Sequence, residues 1–241
     1  MRILVIGDSC IDKFIYCDIN RLCPEAPVPV LNPVNETENP GMAGNVVANL
    51  ESLGCETYIV TNSSPIKKTR YVDDKSGQMI MRFDENDFAS RCELDFDEYL
   101  EQYKFDAVVI SDYNKGFLTE DIISNVAEIC KCPTFLDTKK KLGKWCHDID
   151  FIKINEPEWN SNKDYDSDNV IVTKGAEGAW YRNDNFKTKK KVKVSNVSGA
   201  GDTFMAGLVY KYVITNSVEQ SIDFANECAS EVVQKRGVVT I

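Results

Sequence analysis

Histidine is almost missing from this sequence: His147 is the only one among 241 residues. No serine or cysteine sits in a recognisable nucleophile motif, so acyl-transfer chemistry built on an imidazole base is set aside. Positive charge is scarce too. The 28 Lys and Arg are outnumbered by 38 Asp and Glu, for a net charge of −10. That balance argues against nucleic acid as a partner, whose recognition rests on a basic surface. No apolar stretch approaches the roughly 20 residues of a membrane span. The opening Met1-Arg2-Ile3-Leu4-Val5-Ile6-Gly7 has no signal core followed by a cleavage site. The nine cysteines are odd in number, and Cys130-Lys131-Cys132 is too tight for a zinc knuckle and lacks a second pair. A cytoplasmic protein with reduced thiols and no membrane partner is expected.

What is present points to phosphate. In Asn196-Val197-Ser198-Gly199-Ala200-Gly201-Asp202-Thr203-Phe204 a small-residue turn opens an apolar pattern of helical period. Phe204, Met205, Leu208, Val209, Tyr212 and Val213 form one stripe. Such a turn presents unpaired N–H groups at the positive end of the helix dipole, a site for an anion. Asp202 would repel that anion unless it had a task, and general base is the task that fits. The stretch alone reads equally well as plain capping, since Asp and Thr are ordinary first-turn residues. A second glycine-bearing helix start, Pro40-Gly41-Met42-Ala43-Gly44-Asn45, runs through Val46, Val47, Leu50 and Leu53 to Gly54.

The remainder alternates strand and helix. Apolar runs at 2–6, 107–110, 135–137, 151–154 and 170–173 each stop at a polar cluster, and 58–61 reads as a further strand. Among these clusters are Gly7-Asp8 through Asp12, Ser111-Asp112-Tyr113-Asn114-Lys115-Gly116, Asp137-Thr138-Lys139, Asn155-Glu156-Pro157-Glu158 and Thr173-Lys174-Gly175-Ala176-Glu177-Gly178. Polar groups recurring after strand ends predict a mostly parallel α/β sheet flanked by helices, with its site on that edge. Helices are expected at 120–130 and 221–235, the latter ended by Gly237, and a polar loop at 160–169. Two segments, about 13–39 and 66–85, differ in character. The first places Phe14, Tyr16, Val28, Val30, Leu31 and Val34 at extended spacing but is broken by prolines; the second reads as a hairpin. Together they predict a four-stranded flap over the main sheet, within a single domain of residues 1–241.

The chain resembles the ribokinase (PfkB) family of sugar kinases. The general features are Asn155-x-x-Glu158, Thr173-x-Gly175-x-x-Gly178 and Gly199-Ala200-Gly201-Asp202. Within the family it is similar to the heptose 7-phosphate kinases. That likeness rests on Gly7-Asp8 through Asp12, Arg21-Leu22-Cys23-Pro24-Glu25-Ala26-Pro27-Val28-Pro29-Val30, Lys68-Thr69-Arg70 and Ser111-Asp112-Tyr113-x-Lys115-Gly116. The resemblance implies a ribokinase-like fold and an ATP-dependent kinase for a small sugar phosphate, with the anomeric hydroxyl of D-glycero-D-manno-heptose 7-phosphate as acceptor. Another sugar or nucleoside, or a trimmed binding protein without catalysis, stands as the alternative.

By resemblance Asp202 is the base, and the amides of Gly199, Ala200 and Gly201 stabilise the moving phosphoryl. Asn155 and Glu158 orient ATP and hold Mg²⁺ through water, with Thr173, Gly175, Gly178 and Asn226 near the nucleotide. Asp12, Gly41 and Asn45 hold the sugar, with Asp112 beside it. Arg70, Lys115 and Arg82 are our candidates for a substrate phosphate, because a dianion in an acidic protein needs local cations. Exposed flap edges predict a homodimer through the lid. The chain departs from the family at Gly41-Met42-Ala43-Gly44, where relatives carry adjacent glycines, and is shortened after Val60 and after Glu158.

Overall fold

The computed structural model describes residues 1–165, 168–190 and 192–241. The apolar runs become one eight-stranded sheet. Strands β1 (Arg2–Gly7), β4 (Glu56–Thr61), β7 (Ala107–Asp112), β8 (Thr134–Thr138), β9 (Phe151–Asn155) and β10 (Val170–Thr173) run parallel. A hairpin, β11 (Ala179–Tyr181) and β12 (Asp184–Phe186), adds an antiparallel edge. The order is β12-β11-β10-β9-β8-β7-β1-β4.

The inner parallel strands β1, β7, β8, β9 and β10 are buried at nearly every position because both faces are covered, whereas edge strand β4 has no fully buried residue. Ile3, Val5, Val109, Phe135 and Ile171 pack with α1 (Ala43–Ser52), α5 (Ala200–Thr215) and α6 (Val218–Val232). Leu4, Ile6, Val108, Ile110, Leu136 and Ile152 take the other side, toward α2 (Phe96–Gln102) and α3 (Glu120–Ile129). Each fully buried aliphatic side chain is worth about 1.5–3 kcal/mol, so these two layers dominate stability. From β1 the chain reaches β4 on one side, then crosses to β7 on the other. That reversal opens a crevice at the carboxyl ends of β1 and β7. Gly7 sits there, where a Cβ would collide with the Ser111 carbonyl.

A second sheet has the order β3-β2-β5-β6, built from β2 (Ser9–Asp18), β3 (Asn32–Met42), β5 (Ile66–Asp73) and β6 (Met79–Glu85). Its strands begin at Ser9 and extend to Met42, further at both ends than the 13–39 segment expected from sequence. Cys10, Asp12, Phe14 and Tyr16 alternate as the buried face of β2. Pro33 and Pro40 lie on the edge strand β3, where one missing donor is tolerated. Pro24, Pro27 and Pro29 fall outside the strands, in a connection pinned only by the isolated bridge Leu22–Pro29. Val28, Val30 and Leu31, read as strand, belong to that connection: three prolines in six residues interrupt any ladder, and Val28 N and Val30 N donate instead within the connection, to Ala26 O and Arg21 O.

Other differences have physical causes. The one-sided stripe expected on α5 is instead burial all round, from Asp202 through Val209, since α1, α6 and the sheet all pack on it. Helix α6 begins at Val218 behind a Ser217 cap and ends at Val232, well before Gly237. Helix α2, capped by Asp95, and the β11–β12 hairpin carry too few periodic apolar residues to be read in advance. Within the polar loop Asn162 is buried and accepts from Leu142 N at 2.8 Å, while residues 166–167 of that loop lie outside the described residues. No helix among the described residues is long and apolar enough to cross a membrane.

Candidate active site

The first turn of α5 closes the crevice. Gly199 caps the helix at φ +81°, in the left-handed region that glycine enters freely. Asn196 accepts from Ser198 N at 2.9 Å and tightens the approach. Ala200 N donates to Val197 O at 3.3 Å, whereas the N–H groups of Gly199 and Gly201 have no acceptor among the described residues. Open donors at the positive end of a 16-residue helix make an anion site.

Asp202 lies beside this turn and is only 3% exposed. Tyr113 donates its hydroxyl to Oδ1 at 2.7 Å, and Asn45 Nδ2 donates to Oδ2 at 3.0 Å. Burial pushes the carboxyl up to about 6, against the two hydrogen bonds, which favour the charged form. Burial and the neighbouring Asp202 charge hold the Tyr113 hydroxyl well above its ordinary range, so it remains a donor. A carboxylate tuned this close to neutrality suits proton abstraction. Asn45, expected at a sugar hydroxyl, also donates to Gly199 O at 3.3 Å and so ties the Asp202 carboxylate to the glycine turn. Asp8 accepts from Tyr113 N at 2.8 Å and Lys115 N at 3.3 Å, fixing the loop that brings Tyr113 to Asp202.

Two residues given no role from sequence stand next to the turn. Lys153 Nζ bonds Asp137 Oδ2 at 2.5 Å, both buried, and a Cβ on Gly201 would lie 2.9 Å from that ammonium. Lys139 lies 3.6 Å from the other Asp137 oxygen and 2.6 Å from Glu158. Burial would raise the Asp137 carboxyl, but Lys153 and Lys139 outweigh it and hold it below the usual range. The available signal was a lysine inside the otherwise apolar Phe151-Ile152-Lys153-Ile154.

At the end of β9, Asn155 caps α4 (Glu156–Asn160) by accepting from Glu158 N at 2.8 Å, and Glu158 returns the bond to Asn155 N at 2.8 Å. Thr173 donates to Ile154 O at 3.3 Å one strand over. Gly175 opens a short turn at the end of β10, and Asn226 donates to Phe186 O at 2.9 Å across it. A Cβ on Gly178 would collide with that same carbonyl. These positions therefore line up along the carboxyl ends of β9 and β10. Among the described residues no three His, Cys, Asp or Glu side chains form a metal cage. Both Glu158 oxygens are engaged, while one buried Asp137 oxygen has no hydrogen-bond partner among the described residues. This donor set fits a water-clad Mg²⁺ carried mainly by substrate phosphates.

At the small sheet, Asp12 pairs with Arg70, and a Cβ on Gly41 would strike the Asp12 carboxylate, so the three meet. Met42 follows at φ +58°, a costly region for a non-glycine residue. Asp112 is fully buried and accepts from Lys140 Nζ at 2.6 Å, Thr138 Oγ1 at 2.5 Å and Asn114 N at 3.0 Å. Lys115 pairs with Asp87 at 2.6 Å, and Arg82 forks onto Asp84 with two bonds of 2.8 Å. Lys68, on the same motif as Arg70, places its ammonium 5.8 Å from the Tyr113 ring centre, and Lys139 places its own at 5.3 Å.

Known proteins share this fold. The backbone superposes on ribokinase from Thermotoga maritima with a TM-score of 0.70 at 19% identity, covering 98% of this chain and 94% of that one. Escherichia coli phosphofructokinase-2 in complex with potassium gives 0.73 at 15% identity, with coverage of 98% and 94%. Arabidopsis thaliana ribokinase complexed with ribose and ATP gives 0.71 at 17%, with coverage of 98% and 93%. The fold is thus ribokinase-like. In sequence, the bifunctional protein HldE of Nitratiruptor is 30% identical over 293 aligned residues, covering 99% of this chain and 63% of the relative. That of Campylobacter jejuni strain RM1221 is 28% identical, covering 100% and 62%. The chain therefore spans a little over three fifths of the length of these relatives. The pfkB family carbohydrate kinase pattern matches residues 57–241. With the glycine turn, the buried acid and the two-sheet fold in agreement, this chain belongs to the pfkB family of carbohydrate kinases.

Proposed function

We propose that this sugar kinase transfers the terminal phosphoryl group of ATP to a hydroxyl of a small sugar phosphate, with the anomeric hydroxyl of D-glycero-D-manno-heptose 7-phosphate as acceptor. The observation that carries the reading is Asp202: a buried carboxylate raised to about 6, standing beside open helix N–H groups. The likeness to HldE proteins supports the heptose class, and a ribokinase complexed with ATP supports the donor.

In this reading the acceptor hydroxyl gives its proton to Asp202 as its oxygen attacks the phosphorus, and ADP leaves. The amides of Gly199, Ala200 and Gly201 and the Lys153 ammonium stabilise charge on the transferring group, where preorganised donors are worth most. Tyr113 and Asn45 hold the base in place. Asn155 and Glu158 orient the triphosphate and would hold Mg²⁺ through water, where the ion would supply charge neutralisation for the phosphates. Thr173, Gly175, Gly178 and Asn226 border the nucleotide, while Asp12 and Gly41 face the sugar. The small sheet acts as a lid that excludes water from ATP. Its outward Met81 and Phe83, 48% and 54% exposed, offer the contact for a second copy.

A coupled ADP-release assay across heptose 7-phosphate, ribose, fructose 1-phosphate and adenosine tests the acceptor. Turnover of heptose 7-phosphate is expected, falling by about 10²–10⁴ in Asp202→Asn while calorimetry shows ATP still bound. Unchanged turnover in that variant removes Asp202 as base. Binding of a sugar with no turnover of any acceptor would make this a binding protein instead.

A further inference from the structure

Cys130-Lys131-Cys132, too tight in sequence for a zinc knuckle, folds into a pair that phosphoryl transfer does not use. Cys130 follows the last turn of α3 in extended backbone, at φ −68° and ψ 134°, and the chain bends at Lys131. Residues two apart on a straight strand are separated by about 6.6 Å. The bend instead brings the two sulfurs to 3.6 Å, within reach of an S–H···S hydrogen bond. Both thiols are partly buried, as Cys23 is, while the other six cysteines are buried. The pair stands two residues ahead of β8, at the amino edge of the sheet. About 17 Å of strand separates it from Asp137.

The two thiols are driven apart in acidity. The hydrogen bond from Cys132 lowers the Cys130 thiol to about 7, against burial and the Asp150 carboxylate and with help from the Cys132 and Lys131 amides. That same bond and burial push the Cys132 thiol up, and the charges of Cys130, Asp106 and Asp150 add to the effect. One sulfur is therefore primed as a nucleophile while its neighbour keeps its proton. The nearby acids are otherwise engaged: Asp150 Oδ2 accepts from Thr134 N at 2.8 Å and Thr134 Oγ1 at 2.9 Å, and Asp106 Oδ2 accepts from Arg2 N at 2.7 Å. Neither completes a metal cage with the thiols among the described residues.

We infer that Cys130 and Cys132 form a thiol–disulfide exchange site that takes small-molecule disulfides, at the edge of the sheet opposite Asp202. The Cys130 thiolate attacks one sulfur of the incoming disulfide and expels the other as a thiolate, leaving a mixed disulfide on Cys130. The charge that held the Cys132 proton is then gone. Cys132 ionises, attacks the Cys130 sulfur and releases the second small thiolate. Two protein thiols are oxidised, one small disulfide is reduced to two thiols, and the two protein protons pass to them.

Oxidised glutathione is the probe, and protein carrying Cys23→Ser is the background, since it lacks the third partly buried thiol. After reaction at pH 7 and acid quenching, denaturation in N-ethylmaleimide counts the remaining thiols by intact mass. The background protein is expected to take up two fewer maleimides and to retain no glutathione. Adding Cys132→Ser should trap one glutathione on Cys130. Adding Cys130→Ser should slow the first step about threefold or more. At pH 7 a thiol at 7 is about fifteen times more ionised than one at 8.5, and its lower nucleophilicity offsets about fivefold. A brief iodoacetamide pulse followed by peptide mapping reads the pair without altering it, and Cys130 should be labelled first. A pair that stays reduced, a mixed disulfide that never closes, equal rates with and without Cys130, or first labelling elsewhere overturns the inference. None of these readouts involves phosphoryl transfer, so the kinase reading stands or falls separately.

Discussion

Charge is handled differently at the carboxyl edge of the main sheet and on the inner face of the small one. At the main edge the ions are buried and cross-paired: Asp137 with Lys153, Asp112 with Lys140, and Asp8 on loop amides, while Asp202 is held by Tyr113 and Asn45. On the small sheet Arg70 pairs with Asp12 and Arg82 with Asp84, and Arg82 is about half exposed. The first arrangement holds its charges fixed and dry; the second leaves a charge within reach of solvent. Bond making needs preorganisation, whereas recognition needs a way in.

The sharpest way to break this contrast is to remove a buried partner. Lys153→Met strands the Asp137 carboxylate and is expected to cost about 3–5 kcal/mol in denaturant unfolding. Lys153→Met/Asp137→Leu should recover much of that stability, though not activity. The sign with pH follows from Asp137, whose carboxyl is held low. Its stabilising contribution is present above the unfolded value and lost as pH falls through the folded one, so wild type and Lys153→Met should converge in strong acid. A loss below about 1 kcal/mol at neutral pH would place Lys153 in an exposed, screened pair instead. The open side is tested more gently. Phe83→Asp on the outer face of β6 is expected to leave unfolding within about 0.5 kcal/mol of wild type. Light scattering should meanwhile show a dimer reduced to monomer; a wild type that is monomeric at every concentration refutes the lid interface.

Much of this was legible in the sequence. Each inner parallel strand announced itself as an apolar run stopping at a polar cluster, because a strand buried on both faces has no room for alternation. The Gly199–Asp202 turn was visible because few sequences need small residues and an acid at a helix start. Partnership was not legible. Arg70, Arg82 and Lys115 looked like free cations, yet Asp12, Asp84 and Asp87 are their partners, two of them far away in sequence. Tyr113 stood in a quoted motif without a task, since only folding brings its hydroxyl across 89 residues to Asp202. Lys153 was passed over as part of a core strand, which it is, with one charge aimed at the turn. The proline-rich run misled in a different way: Val34 joins β3, but Val28 and Val30, between prolines, spend their N–H groups on Ala26 O and Arg21 O within the connection rather than on a neighbouring strand.

The smallest predicted effect is also the most direct test of the central claim, that the Asp202 carboxylate takes the proton. Substrate phosphates titrate near the same pH, so an acid limb in kcat/KM is not by itself diagnostic. Its displacement is. Tyr113 lowers the Asp202 carboxyl by hydrogen bonding to its charged form, so Tyr113→Phe should raise it. The pH profile of kcat/KM in wild type is expected to fall as pH drops through about 6. In Tyr113→Phe the limb should lie higher by up to about one unit, with the alkaline plateau retained. Superimposable limbs in the two proteins would mean that the titrating group belongs to the substrate and that Asp202 is not the base.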